Sequence, residues 1–101
     1  MAIQYRQGDL LLEAVPDMPL DAKQKGDTIL AIGELTGHTH KVQDSETAVL
    51  YISGNLIFIH VLTEEAVIVH DEHKPITLKN GIYRVWRQRE YWPDRIRGIQ
   101  D

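Results

Sequence analysis

The residues of this chain best suited to chemistry are histidines, and four of its five histidines fall in two short clusters. His38 and His40 lie in the segment Gly-His-Thr-His-Lys, and His70 and His73 lie in His-Asp-Glu-His-Lys. Imidazole is the side chain whose ordinary pKa lets it gain and lose protons near neutral pH, and it is also the commonest metal ligand. The two clusters therefore predict either acid–base catalysis or a metal site.

The first interpretation is metal-independent cleavage of a phosphodiester. One imidazole removes the proton of a ribose 2′-hydroxyl, a second protonates the leaving 5′-oxygen, and nearby cations stabilise the charge that develops on the phosphate. The candidate acid and base residues are His38, His40, His70 and His73. Arginine forks bind phosphate and aromatic rings stack on bases. The candidate substrate-binding residues are Lys41, Arg87, Arg89, Tyr91 and Trp92.

The second interpretation is a cupin-like centre for a divalent transition metal. Its ligands would be His38 and His40 with either His70 or His73, and Glu72 would supply an oxygen ligand. The chain has no cysteine, so any metal needs histidine and carboxylate ligands. The usual cupin spacing of the glutamate is not kept, and the lysine after the His-x-His pair would repel a cation. A third interpretation is a non-enzymatic ligand-binding module whose histidines are incidental.

The fifth histidine, His60, belongs to an alternating apolar segment. Successive side chains of a strand point to opposite faces, so His60 shares a face with Leu56, Phe58 and Leu62. A hydrogen-bonded core histidine is the common outcome for such a position. We therefore leave His60 out of the candidate site.

The elements that must position these residues are short strands. Period-two alternation rich in Val, Ile and Tyr recurs along the chain and predicts strands at 9–15, 28–35, 48–52, 55–62, 66–70, 75–78 and 82–89. Ser53-Gly54-Asn55 and Asn80-Gly81 are tight hairpin signals, and such short connections predict a meander. About seven short strands bury their apolar faces as a small antiparallel β-barrel or a two-layer sandwich, so the predicted fold is all-β.

Composition narrows the function classes. The 101 residues predict one β-barrel-like domain, 1–101, and no apolar run is long enough to cross a bilayer. The first residues do not form a secretory signal, so a cytoplasmic location is expected. The formal net charge of −4 argues against general DNA or RNA binding, which depends on neutralising many phosphates. A small phosphate ligand remains compatible with a locally basic pocket.

The motifs Gly-His-Thr-His at 37–40, His-Asp-Glu-His-Lys-Pro-Ile at 70–76 and Arg-Gln-Arg-Glu-Tyr at 87–91 resemble a family of small bacterial and phage proteins. The all-β build with paired histidines also resembles compact ring nucleases of type III CRISPR antiviral defence. That resemblance implies metal-free degradation of a cyclic oligoadenylate messenger without a cofactor. The rotational symmetry of such a ligand suits a two-fold homodimer, the commonest oligomer.

Overall fold

A computed structural model describes residues 4–33 and 37–87, and these residues form eight β-strands and no helix. The strands are short except for the last two. They are β1 (Gln4–Gln7), β2 (Leu10–Val15), β3 (Lys23–Gln24), β4 (Ile29–Ile32), β5 (Thr39–Val42), β6 (Ala48–Ser53), β7 (Leu56–His70) and β8 (Ile76–Arg87). The all-β prediction is confirmed, with eight strands where about seven were expected.

All the strands pair antiparallel in a single sheet of order β1-β2-β8-β7-β5-β4, while β6 pairs with both β7 and β3. The sheet curls into a half-barrel. The predicted meander is wrong as a whole, because β8 returns to pair with β2 and β7 pairs with the earlier strand β5. Within the described residues, none forms a helix of the length and apolarity that a membrane span requires.

The core lies on the concave face of this sheet, as strand alternation requires. The core side chains of β2 are Leu10 and Leu12, and those in the first half of β7 are Ile59 and Val61. Burying each such side chain contributes roughly 1.5–3 kcal/mol relative to leaving it exposed. The core therefore fixes which residues of each strand point inward, including the last residue of β1, Gln7.

The two longest strands, β7 and β8, are bent near their middle. Their register shifts between Val61 and Glu65, where three residues of β7 lie opposite the single residue Asn80 of β8. The Asn80 amide donates a 2.9 Å hydrogen bond to the Val61 carbonyl, and Gly81 has a φ of 146°. The predicted hairpin at Asn80-Gly81 is therefore wrong: the conformational freedom of this pair is used to bend a continuous strand.

The other predicted strands and the second predicted hairpin can be compared directly with the structure. The hairpin at Ser53-Gly54-Asn55 is confirmed, since Ser53 pairs with Leu56 across the turn. The strands predicted at 55–62 and 66–70 are parts of one strand, β7, and those predicted at 75–78 and 82–89 correspond to one strand, β8, up to residue 87, the last that the structure describes. Strands β1, β3 and β5 were not predicted, because each is only two to four residues long. Alternation cannot be recognised over so few positions.

His60 is half-buried, but it is not a core histidine. It lies on the convex face of β7, between Ile59 and Val61, whose side chains point into the core. Its neighbours on the convex face are Leu56 and Leu62, which are 41% and 50% exposed, and Phe58, which is 4% exposed but does not belong to the main core cluster. The sequence identified the correct set of neighbours, but only Phe58 among them is buried.

The bend predicts that Gly81→Ala destabilises the protein. A φ of 146° is a conformation that residues with a Cβ rarely adopt, so the substitution should lower the free energy of unfolding by about 1–3 kcal/mol. Urea denaturation measures this loss. Thr77→Ala, at an exposed position of the same strand, is the control and should change stability by less than about 0.5 kcal/mol. Equal losses in both variants would contradict the conformational requirement.

Candidate functional site

The structure brings the four clustered histidines together, and we call them the histidine cluster. The ring centroids of His40 and His70 are 4.2 Å apart, and those of His70 and His73 are 4.6 Å apart. His38 lies edge-on to His70 at 5.8 Å, and His40 and His73 are nearly parallel at 6.3 Å. His70 therefore occupies the middle of the cluster, with the other three rings around it.

Strand pairing explains why the two sequence clusters meet. The last residues of β7 pair with β5 in a register that sets His40 directly opposite His70. His40 is 3% exposed, His38 and His70 are half-buried, and His73 is exposed. The cluster thus runs from the core of the half-barrel out to its surface.

The tip of the first hairpin completes the site, and the sequence analysis missed it. The hairpin tip consists of Gln7, the last residue of β1, and of Gly8 and Asp9, which form the turn to β2. Each of the three residues contacts a histidine of the cluster. A Cβ on Gly8, whose φ is 62°, would lie 2.5 Å from His73 Nε2, so a larger residue would displace this exposed ring and strain the backbone. The available signal was a Gly-Asp pair between a short polar segment and an apolar strand, which is a recognised hairpin pattern.

The side chain of Gln7 fixes the proton position on His40. Gln7 is buried, and its Nε2 donates hydrogen bonds to the carbonyls of Ile68 at 3.0 Å and Lys74 at 2.8 Å. Its Oε1 therefore faces His40 Nδ1, 2.9 Å away, and an amide oxygen only accepts. His40 must donate from Nδ1, so neutral His40 has its free electron pair on Nε2.

His70 has the opposite arrangement. Its Nδ1 accepts hydrogen bonds from the backbone N–H groups of Glu72 at 2.9 Å and His73 at 3.3 Å. A ring nitrogen that accepts carries no proton, so the proton of neutral His70 is on Nε2. His40 and His70 are therefore neighbouring imidazoles with complementary roles, one presenting an acceptor and the other a donor.

Two carboxylates border the cluster at different ring nitrogens. Glu72 Oε1 is 3.5 Å from His38 Nδ1, and Asp9 Oδ1 is 3.5 Å from His40 Nε2. Burial, together with the neighbouring His70, lowers the pKa of His40 to about 4, although the Asp9 carboxylate opposes this shift. His40 is consequently neutral at physiological pH.

The predicted substrate-binding residues are only partly brought to the cluster. Arg87 reaches it through Asp9: its Nε lies 3.0 Å from Asp9 Oδ2, and its Nη2 donates to the Ile32 carbonyl at 2.7 Å. Lys41 is exposed and follows buried His40 on β5, so it points to the opposite face of the sheet. The predictions for Arg89, Tyr91 and Trp92 fall outside the described residues.

The histidine cluster is not arranged as a ligand set. Among residues 4–33 and 37–87, no three His, Asp or Glu side chains form a group able to hold a metal ion. For His70, Nδ1 is engaged by two backbone donors and Nε2 carries the proton, so neither nitrogen offers a free electron pair. Ligation by His70 would require its ring to turn and to lose both hydrogen bonds.

A family model described as a domain of unknown function, DUF8820, matches residues 6–88. The chain belongs to the DUF8820 family. The matched segment contains the whole histidine cluster, the hairpin tip and Arg87, whereas Arg89, Tyr91 and Trp92 lie beyond it. No curated protein and no solved structure matches the chain. The family assigns no activity, so for this DUF8820 protein the resemblance to ring nucleases stays a prediction.

The hydrogen bonds predict the tautomers of two histidines in this DUF8820 protein. At neutral pH, His40 should carry its proton on Nδ1 and His70 on Nε2. Long-range ¹H–¹⁵N correlation spectra distinguish the two forms for each ring, with assignments from His→Asn variants. A proton on Nε2 of His40, or on Nδ1 of His70, would contradict the assignment.

The lowered pKa of His40 predicts a pH-dependent stability. The unfolded chain binds a proton at this imidazole near pH 6.5, whereas the folded protein does so only near pH 4. The stability that neutral His40 contributes to the folded protein is therefore fully present above about pH 6.5. As the pH falls towards about 4, the free energy of unfolding decreases by roughly 2–3 kcal/mol. Urea denaturation of wild type and His40→Asn at about pH 7 and about pH 4.5 measures it. The variant keeps a donor near Gln7 and should lose less stability than wild type; equal losses would contradict the shift.

Proposed function

We propose that this DUF8820 protein is a metal-independent phosphodiesterase that opens a cyclic oligonucleotide, of which cyclic oligoadenylate is the best candidate. The observation that carries the proposal is the complementary proton placement on His40 and His70, whose ring centroids are 4.2 Å apart. Cleavage by a ribose 2′-hydroxyl needs a base, an acid and a donor to the phosphate oxygen. The histidine cluster contains a candidate for each of these roles.

His40 is the proposed base. Its Nε2 takes the proton of the 2′-hydroxyl as the 2′-oxygen forms its bond to phosphorus. His40 is already deprotonated at neutral pH, but a base with a pKa of about 4 is weak, so its surroundings must stabilise the charge that it gains. His70, which keeps its proton on Nε2, donates a hydrogen bond to a non-bridging phosphate oxygen. A neutral imidazole is able to act as such an electrophile.

His38 is the proposed acid. A protonated His38, paired with Glu72 through Nδ1, gives a proton to the 5′-oxygen as the bond between this oxygen and phosphorus breaks. His38 and His40 both lie near the central His70, so base and acid can act on two sides of one phosphate. The products are a 2′,3′-cyclic phosphate and a free 5′-hydroxyl, and no atom is left unassigned.

Arg87 is the proposed phosphate-binding residue, together with Arg89, which lies two positions further along the sequence. A cyclic oligonucleotide carries few phosphates, which suits one basic group on a chain of net charge −4. Tyr91 and Trp92 remain the proposed base-stacking residues, and a homodimer remains the proposed assembly. Lys41 no longer has a role at the same phosphate, because it lies on the other face of β5.

The proposal predicts cleavage of cyclic oligoadenylate in the presence of EDTA. Mass spectrometry should detect linear products that end in 2′,3′-cyclic phosphate. His40→Asn and His38→Asn should each lower the rate by about 10² or more, as expected for loss of a base or an acid. His60→Asn is the matched control, because His60 lies on the convex face, and it should retain the wild-type rate.

Thermal unfolding of each variant separates loss of chemistry from loss of fold, and half-exposed His38 provides a test that spares the core. Intact substrate under all conditions would contradict the proposed function. Activity that appears only with an added divalent metal, with stoichiometric metal in the purified protein, would instead support the metal-site interpretation. Binding of the ring without turnover would support a ligand-binding module.

A further inference from the structure

Asp9 occupies a position that the proposed reaction has not yet used. It is the last residue of the hairpin tip, and its side chain is 50% exposed. One carboxylate oxygen lies 3.5 Å from His40 Nε2, and the other lies 3.0 Å from Arg87 Nε. Asp9 thus stands between the proposed base and the cation proposed to bind phosphate.

The contact between Asp9 and His40 is incomplete while His40 is neutral. Gln7 holds the His40 proton on Nδ1, so Nε2 and the carboxylate face each other as two acceptors. A proton that arrives on Nε2 turns this contact into an ion pair. Burial disfavours the charged imidazolium, and the carboxylate offsets that cost where the charge develops.

The contact between Asp9 and Arg87 is also imperfect. The Arg87 Nε atom is buried and has no hydrogen-bond partner, even though Asp9 Oδ2 is 3.0 Å away, because the N–H is not directed at the oxygen. Arg87 is held more firmly by the Ile32 carbonyl. Phosphate is a competitive partner for a guanidinium, since it accepts two parallel hydrogen bonds.

We propose that Asp9 is a positioning residue that exchanges partners during the reaction. In the free protein Asp9 pairs with Arg87 and partly neutralises its charge. When a substrate phosphate binds Arg87, the Asp9 carboxylate is released and stabilises the imidazolium form of His40. The proton itself moves from the 2′-hydroxyl to His40 Nε2 and stays there until product is released. This inference rests on the proposed function.

Two other histidines face His40 and lower its pKa, whereas the Asp9 carboxylate raises it. His70 and His73 approach it from the end of β7 and the segment that follows, and both disfavour a positive charge on His40. The other charged groups nearby are Arg87 on β8 and the His38 and Glu72 pair. Removal of the Asp9 carboxylate therefore leaves only influences that lower the pKa of His40 or act from a greater distance.

The test is Asp9→Asn, with Asp71→Asn as the matched control because Asp71 is an exposed carboxylate beside the second histidine pair. Asp9→Asn should lower kcat by about tenfold while also lowering KM severalfold, because Arg87 is released and the imidazolium is not stabilised. An NMR titration should place the pKa of His40 below its wild-type value by about half a unit or more. Asp71→Asn should leave kcat, KM and the His40 titration unchanged.

The titration needs no turnover, so it separates this proposal from the proposed function. An unchanged or raised His40 pKa in Asp9→Asn would overturn the role of Asp9 even where the wild type cleaves its substrate. A loss of kcat without any fall in KM, in a variant that unfolds at a lower temperature, would also overturn it. A wild type that is inactive, with a His40 pKa that falls in Asp9→Asn, overturns the proposed function while supporting the contact between Asp9 and His40.

Discussion

The chemistry available to this protein depends on how one buried amide is oriented. The nitrogen of Gln7 must face the carbonyls of Ile68 and Lys74, because a carbonyl can only accept, and its oxygen is then left for His40. Turning the amide over would set two pairs of acceptors against each other in a buried site, at a cost of about 1–3 kcal/mol for each unsatisfied group. The proton position on His40 is thus a consequence of where the backbone lies.

Strand pairing provides the backbone on which that arrangement depends. Strand β7 has 15 residues and pairs with β6 in its first half and with β5 in its last residues, while its register with β8 shifts between Val61 and Glu65. Its last residue is His70, and the register with β5 sets this residue opposite His40. One long strand therefore belongs both to the core of the sheet and to the candidate site.

The local sequence pattern was enough to predict an all-β chain and to select four histidines as candidate site residues. It was not enough to identify Gln7 and Asp9, which contact those histidines. Gln7 and His40 are 33 positions apart, and a contact of that range leaves no trace in local alternation. Lys41 is predicted as a site residue because it directly follows the His-x-His pair, but adjacent residues of strand β5 point to opposite faces, so Lys41 points away from His40. The hairpin prediction at Asn80-Gly81 was wrong because the same dipeptide permits either a turn or a bend within a continuous strand.

The two carboxylates face different nitrogens of their histidines. Glu72 approaches His38 at Nδ1, and in the proposed mechanism it pairs with the protonated form of this ring. Asp9 approaches His40 at Nε2, the nitrogen that lacks a proton, so its favourable interaction appears only after a proton has been received. In the proposed mechanism, this difference separates identical side chains into an acid and a base, as the surroundings of titratable groups do in folded proteins.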